Sequence, residues 1–406
     1  MLALARLTVI VLGLAVLSSS AATARAKKDN VKVTEVVAFE TRKLPKPFYG
    51  SNTKWFDLSP DGRTLAVLLE THQGSDDSGK SIWLVLWDVN TRQVERSKRL
   101  EGPDPESRNH AQYGFRVRFV PIIGRILVLT GSRLLSLHRQ SLEIAFAFDS
   151  PAMPGKLMES RLIKHFSVSE DGSRLVVEYW QGWPQREVEI EIADAIEGRI
   201  LFTRKVAGPA YAVLSPDGGR IVITQNRFDK KGFLRARPNV FLQDVKTQAT
   251  LMELAIGVLT ADVQFLSPNL ILTIAGGPHD PIVYSKDRIK VWDLSTGKII
   301  REFEYGKYGV RGAMDFSKSG QLLAAVVHWS SKWNARLDTS IFPSWTRLVI
   351  WDLQTGKRIW VSRNGPTDPA VTHWRQVRLS EDATRMAVGS DDHGFGHQIW
   401  IYCIER

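Results

Sequence analysis

The sequence predicts an all-β fold, a seven-bladed β-propeller of four-stranded antiparallel blades, and three observations support this prediction. Two turn motifs recur along the 406 residues, each between short apolar segments of strand length. The first motif recurs about every 50 residues, a repeat length suited to one four-stranded blade. The last repeat lacks a strand that the segment before the first repeat can supply.

The first motif is Ser-Pro-Asp-Gly, which begins at Ser59 and again at Ser215. Proline presets φ at the second turn position, and glycine accepts the positive φ that a tight turn needs. Related turns occur in five other repeats, so each copy is expected to join strand a to strand b of one blade. The first residues of the seven copies are at positions 59, 120, 169, 215, 267, 317 and 380.

The second motif, Trp-Asp-x-x-Thr-Gly-Lys, lies in residues 291–298 and recurs in 350–357 and, less completely, in 86–91. Its Asp, Ser and Thr side chains can bond to the backbone two residues ahead, which favours a hairpin turn. We therefore expect it to join strand c to strand d. In the fifth repeat the predicted strands are 262–266, 270–274, 288–292 and 298–303.

The seventh repeat has three predicted strands, at 376–379, 385–388 and 398–404, and then the chain ends. Residues 31–41 alternate in polarity like a strand and precede the first complete repeat. They are predicted to become the fourth strand of the last blade. This pairing would close the ring without leaving an unpaired edge at the junction.

Residues 1–26 have the pattern of a secretory signal peptide, with Arg6 before an apolar run and cleavage expected after Ala24 or Ala26. An uncleaved anchor is the alternative. Residues 27–406 would then form a single propeller domain, periplasmic or secreted. Cys403 is the only cysteine, so the domain has no internal disulfide.

The chain is basic, with a formal charge of +11. Removal of the signal segment takes away two arginines and no acid, which leaves +9. A positive charge favours acidic partners, so we expect a protein or an anionic glycan or surface polymer. Nucleic acid is disfavoured for an exported chain, and the protein is expected to be a monomeric propeller within a complex.

Strand order divides the connections between two faces of the disc. The a–b and c–d turns carry the repeated motifs on one face, here called the motif face, and the longer b–c and d–a connections lie on the other, here called the loop face. Long loops on a rigid scaffold commonly carry binding residues. The candidate partner-binding residues are a basic set, Arg227, Lys230, Lys231, Arg235 and Arg237, and an aromatic set, Trp183, Trp329, Trp333 and Trp345.

The combination of Ser-Pro-Asp-Gly turns and Trp-Asp-x-x-Thr-Gly turns resembles the WD-repeat β-propeller family, specifically its exported bacterial members. The resemblance covers residues 27–406 and implies a rigid platform for partners without catalytic residues of its own. The Gly-His pair that the family has before strand a is missing here. Its hydrogen-bond network is therefore not transferred to this chain.

An enzyme is the alternative, either similar to quinoprotein dehydrogenases or a hydrolase or lyase with a cofactor or metal at the channel mouth. Residues 352–360 look like a quinoprotein turn, but the fifth repeat has Arg301 in place of its final tryptophan. No Gly-x-Ser-x-Gly elbow or phosphate-binding glycine loop occurs. The sequence assigns no catalytic, cofactor-binding or metal-binding residue.

Overall fold

A computed structural model establishes an all-β architecture of seven four-stranded blades. No helix among the residues that it describes is both long and apolar enough to cross a membrane. The described residues are 31–72, 80–100, 115–130, 133–150, 161–181, 187–207, 210–225, 239–255, 260–275, 289–303, 310–329, 345–362, 374–390 and 398–406.

Each of the first four blades is an antiparallel meander of consecutive strands, labelled a to d from the channel outward. Blade 1 contains β2 (Asn52–Leu58), β3 (Thr64–His72), β4 (Lys80–Asp88) and β5 (Gln93–Leu100). Blade 2 contains β6 (Phe115–Val120), β7 (Arg125–Thr130), β8 (Arg133–His138) and β9 (Ile144–Asp149). Blade 3 contains β10 (Arg161–Val168), β11 (Arg174–Gln181), β12 (Glu187–Asp194) and β13 (Ile200–Ala207). Blade 4 contains β14 (Ala210–Leu214), β15 (Arg220–Gln225), β16 (Asn239–Asp244) and β17 (Thr250–Ala255).

The remaining three blades continue this order until the ring closes. Blade 5 contains β18 (Thr260–Ser267), β19 (Leu270–Ala275), β20 (Ile289–Asp293) and β21 (Lys298–Phe303). Blade 6 contains β22 (Val310–Phe316), β23 (Leu322–Trp329), β24 (Trp345–Asp352) and β25 (Arg358–Val361). Blade 7 contains β26 (Trp374–Leu379), β27 (Arg385–Ser390), β28 (Gln398–Glu405) and, as its outer strand, β1 (Lys32–Glu40).

The predicted closure by the amino-terminal strand is confirmed. Strand β1 runs antiparallel to β28, with Lys32 opposite Glu405 and Glu40 opposite Gln398. Phe39 is 1% exposed and packs with Phe56 of blade 1 as well as Ile399 of blade 7. The first strand therefore completes one blade and also contributes to the contact with the next blade.

The core is divided among seven apolar clusters, and each cluster is shared by two adjacent blades. The inner strands b and c are buried on both faces, which explains why segments such as Leu65–Leu69 read as continuous apolar runs. A blade alone would expose both faces of its sheet to water. Each blade therefore depends on both neighbours for burial of its apolar surface.

The a–b turns are held by their own side chains. In blade 1, Ser59 Oγ donates to Asp61 Oδ1 at 2.6 Å and accepts the backbone N–H of Thr64 at 2.8 Å. Gly62 has φ +66°, and a Cβ there would lie 2.8 Å from Arg385 Cδ of blade 7. Glycine is thus required for its backbone conformation and for the close approach of the neighbouring blade.

An arginine that follows the a–b turn connects one blade to the next on the motif face. Arg385 of blade 7 donates to the carbonyl of Gly62 at 3.0 Å and to Asn90 Oδ1 at 2.9 Å in blade 1. Arg220 of blade 4 donates to the carbonyl of Pro268 in blade 5. These contacts identify the repeated motifs as architectural elements.

The turn aspartates have lowered pKa values because they accept several hydrogen bonds. Hydrogen bonds from the Ser215 hydroxyl and the Gly219 backbone N–H lower the pKa of Asp217, and together they outweigh the opposite effect of burial. Six further turn aspartates are shifted in the same direction: Asp61, Asp88, Asp171, Asp244, Asp293 and Asp382.

We expect Phe39→Ala to lower the free energy of unfolding by about 3–5 kcal/mol, because it leaves a cavity in the cluster that closes the ring. Val36 on the same strand is 42% exposed, so Val36→Ala is a matched control with an expected effect within about 0.5 kcal/mol. Urea unfolding measures the free energy of unfolding of both variants.

Deletion of residues 31–41 should lower the melting temperature more than Phe39→Ala does, because it removes the outer strand of blade 7. An unchanged melting temperature would contradict the closure.

We expect thermal stability to fall as the pH drops below about 4, where unfolded aspartates begin to take up protons. A carboxylate with a lowered folded pKa stabilises the fold above its unfolded pKa, and this contribution is lost as the pH falls through the folded pKa. Asp217→Asn should therefore melt at a lower temperature at pH 7 and show a shallower acid dependence. Parallel curves for the two proteins from pH 3 to pH 7 would refute this origin.

Candidate functional site

The candidate basic residues lie outside the described part of the chain. Arg227, Lys230, Lys231, Arg235 and Arg237 belong to residues 226–238, which connect β15 to β16. This segment is a b–c connection, as the sequence predicted, and it therefore leaves blade 4 on the loop face. The involvement of these residues in binding stays a prediction.

The candidate tryptophans divide into two groups. Trp183 and Trp333 lie outside the described residues, in the b–c connections of blades 3 and 6. Trp329 and Trp345 were expected in one long loop, but they are the last residue of β23 and the first of β24, and their Cα atoms are partners in the strand register. The strands of this hairpin therefore extend further toward the loop face than the sequence indicated.

The inner strands are joined across blade boundaries by side chains that accept backbone N–H groups. Asp57 Oδ2 of blade 1 accepts the N–H of Phe119 in blade 2 at 2.8 Å. Asp315 Oδ2 of blade 6 accepts the N–H of Leu379 in blade 7 at 2.8 Å. Ser167 Oγ of blade 3 accepts the N–H of Leu214 in blade 4 at 3.2 Å. The three acceptors occupy the same place in their repeats, two residues before the turn serine.

Four charged side chains, each two residues before the first residue of its a–b turn, alternate in sign around blades 6, 7, 1 and 2 and are called the ion chain below: Asp315, Arg378, Asp57 and Arg118. Arg378 Nε lies 3.0 Å from Asp57 Oδ1. The contact is an ion pair, and the same Nε has no hydrogen-bond partner among the described residues. The two side chains are only 13% and 5% exposed.

The pKa shifts in this ion chain follow from burial and charge. Burial raises the pKa of Asp315, and the nearby Arg378 and Arg118 only partly offset it. Burial would lower the pKa of Arg118, but the charges of Asp57 and Asp315 outweigh it and raise that pKa. Each acid of the ion chain already has a backbone donor or a cation as its partner. These charges therefore stabilise the ring of inner strands.

A different polar cluster lies between blades 3 and 4, toward the loop face. It is defined by Lys164, His165, Glu178, Trp180 and Tyr211 and is called the blade-3 cluster below. A β-bulge between Ile163 and His165 interrupts the pairing of β10 with β11. Bulges redirect side chains locally, and this one places Lys164 near the ring of Trp180, with Nζ 5.9 Å from the ring centroid.

Glu178 is the buried anchor of the blade-3 cluster, with no exposed surface. Its Oε1 accepts the N–H of Ala212 at 2.6 Å and lies 2.9 Å from His165 Nδ1. A carboxylate oxygen accepts a hydrogen bond, so this contact is a hydrogen bond from the histidine in the tautomer that has its proton on Nδ1. The other ring nitrogen, Nε2, takes no part in this contact.

Two aromatic rings form the wall of the blade-3 cluster. Trp180 and Tyr211 meet with centroids 5.9 Å apart at an angle of 65°. The ring of His165 meets Tyr211 edge-on, with centroids 6.2 Å apart. Trp180 is followed by residues 182–186 and Tyr211 is preceded by 208–209, so the cluster lies at the loop-face end of its strands.

The sequence did not indicate the blade-3 cluster, because its members lie in strands and meet only through a bulge and the approach of blade 4. One signal was present: Glu178 is an acid within an otherwise apolar strand b, at a place where blade 1 has Leu68. Burial of the cluster lowers the pKa of Lys164. Over the described ranges, no three His, Cys, Asp or Glu side chains are grouped to hold a metal ion.

We expect Arg378→Met to destabilise the ring by about 3–5 kcal/mol, because it removes the cation that forms an ion pair with the buried Asp57. The double variant Asp57→Asn/Arg378→Met should recover part of this loss. Urea unfolding of the two single variants and the double variant gives the coupling energy. Additive effects would show that the ion pair contributes nothing to stability.

Comparison with known proteins supports the fold and no finer identity. No family model matches the chain, and no curated protein matches it. The chain is similar to a solved structure of Kuenenia stuttgartiensis hydrazine synthase, with a TM-score of 0.52 and 14% identity over 85% of this chain and 96% of that chain. At this identity the likeness shows the fold alone, a seven-bladed β-propeller.

Proposed function

We propose that this protein is an exported, non-catalytic binding and scaffold propeller that engages an anionic polymer or a protein through its loop face. The observation that carries the proposal is the contrast between the two ends of the blades. On the motif face and in the ion chain, polar groups bond to neighbouring blades. Toward the loop face, Glu178 makes one such bond to Ala212, and around it the blade-3 cluster combines a cation, a histidine and two aromatic rings in an arrangement that no other described blade repeats.

The basic connection of blade 4 would extend this binding surface. The blade-3 cluster includes Tyr211 of β14, and residues 226–238 leave the same blade on the same face. Arginine and aromatic side chains together suit an anionic polymer because they combine charge with a planar contact surface. The net charge of +9 after removal of residues 1–26 would assist the approach of such a polymer.

The finer relationship and the location belong to the same proposal. We infer an affinity with exported WD-repeat propellers from the recurring Ser-Pro-Asp-Gly and Trp-Asp turns. Residues 1–26, a signal peptide by their sequence pattern, would direct the chain to the periplasm or the exterior. Cell fractionation, with the mass of the mature chain, tests export and the cleavage after Ala24 or Ala26.

A ligand-processing enzyme is the second candidate, and the His165–Glu178 pair is the observation that favours it. A carboxylate that fixes the proton on Nδ1 leaves Nε2 in position to act as a general base. Metal analysis of the purified protein and an absorption scan for a bound quinone separate the candidates. A stoichiometric metal or cofactor would overturn the simple scaffold function.

We expect the double charge reversal Arg235→Glu/Arg237→Glu to weaken retention on a polyuronate resin and capture from an envelope extract, without a change in melting temperature. The matched control is Lys246→Glu/Lys298→Glu, which reverses two exposed charges on the motif face. The control should be retained like the unmodified protein. Equal losses for both double variants would show that only net charge matters, and unchanged retention for both would count against the loop face.

A further inference from the structure

Exposed apolar side chains are concentrated at one edge of the disc. Ten large hydrophobic side chains are exposed among the described residues, and six of these lie within the first three residues of an outer strand d. Because strand d follows the c–d turn, all six lie at the outer edge of the motif face. They are between 37% and 53% exposed and are called the apolar rim below: Ile144 of blade 2, Ile200 and Leu201 of blade 3, Leu251 of blade 4, and Ile299 and Ile300 of blade 5.

Contacts between the outer strands join these side chains into one surface. The c–d turn of blade 3 packs against strand d of blade 2, so that a Cβ on Gly198 would lie 2.5 Å from the ring of Phe146. The c–d turn of blade 5 packs against strand d of blade 4, with Met252 Sδ 3.7 Å from the place of a Cβ on Gly297. Phe202, the next residue after Leu201, packs on the apolar cluster shared by blades 3 and 4. The apolar rim therefore runs over four blades that contact one another.

The ring does not require apolar residues at these positions. In blade 1, strand d begins with Gln93 and has Glu95 as its third residue, and both are exposed. In blade 7 it begins with Lys32, whose Nζ lies 3.2 Å from Glu405 Oε2. Charges of this kind normally protect an outer strand from unwanted contacts. A patch of isoleucine and leucine in their place is typical of a contact surface.

We infer that the apolar rim is a contact surface for a lipid bilayer, on which the disc lies with its motif face toward the lipid and its loop face outward. The amino-terminal part of the chain supports this orientation. Strand β1 begins on the motif face, because Lys32 pairs with Glu405 at the end of strand c. Residues 1–30 precede it outside the described residues, and their apolar run at 7–17 would enter the membrane during export. Blade 7 lies opposite blades 3 and 4 in a ring of seven, so contacts at both sides would hold the disc flat.

The composition of the apolar rim favours lipid over a protein partner. All six side chains are aliphatic, whereas protein interfaces depend on tryptophan, tyrosine and arginine at their centres. The c–d turns of blades 3, 4 and 5 each have one cation, namely Arg199, Lys246 and Lys298, and at least one acid. This edge therefore has no net positive charge to attract anionic headgroups. Burial of aliphatic side chains at the bilayer surface is the driving force that we expect.

The test is co-sedimentation of residues 27–406 with phosphatidylcholine vesicles. This chain contains every described strand of the ring and lacks the apolar run at 7–17, which has its own affinity for lipid. Leu251→Thr/Ile300→Thr should lower the partition coefficient by about tenfold, because it removes two aliphatic side chains from adjacent blades. Both residues are exposed, so the melting temperature should not change.

The matched control is Val36→Thr/Tyr49→Thr, which removes two exposed apolar side chains outside the apolar rim. It should sediment with the vesicles like the unmodified protein. Raising the salt concentration to about 1 M should change the partition coefficient little, because salt screens charges and does not weaken apolar contacts.

Four outcomes would overturn the inference. The first is no sedimentation of residues 27–406 with the vesicles, and the second is an equal loss for the rim variant and its control. The third is binding that requires phosphatidylglycerol and disappears at high salt. The fourth is a dimer in solution that Leu251→Thr/Ile300→Thr dissociates, since the apolar rim would then join two copies of the chain. The proposed function is judged separately, because retention on the resin depends on Arg235 and Arg237 of the loop face.

Discussion

Burial between adjacent blades is the constraint on which the rest of the structure depends. Each apolar cluster takes its side chains from two blades, so no blade is complete by itself. The last cluster joins Phe39, Phe56 and Ile399, which come from opposite ends of the chain. It forms only when the whole ring is present, so its loop-closure entropy is the largest in the fold. The stability of the ring therefore depends on the pairing of β1 with β28, the first and the last strand of the chain.

Ring closure brings the inner strands close together, and this proximity explains the polar bonds between them. The backbone groups of a narrow channel need partners, and Asp57, Asp315 and Ser167 provide them across blade boundaries. Charged acceptors then need cations, and arginines of neighbouring blades supply them in alternation. The channel charges are in this way a consequence of closure. They do not require a substrate to explain them.

The sequence was sufficient for the blade count and the closing strand because turn chemistry is local. Ser59, Asp61 and Gly62 bond within their own tetrapeptide, so the motif is recognisable without knowledge of the neighbouring blades. The blade-3 cluster depends instead on a bulge that shifts His165 and on the approach of another blade. Neither is encoded by simple alternation of polarity. The loop candidates, such as Arg235, lie outside the described residues and stay predictions.

The comparison between repeats distinguishes architecture from function more sharply than any single motif. Residues that contact the next blade on the motif face recur because each must meet an equivalent partner, as Arg385 and Arg220 do. At the loop-face ends of the strands, the same places hold Leu68 in one blade and Glu178 in another, and both blades close. Ring stability therefore does not determine the residue there. The residue there reflects instead what each blade boundary needs, because Glu178 accepts the backbone N–H of Ala212 from blade 4, as Asp57 accepts that of Phe119 from blade 2.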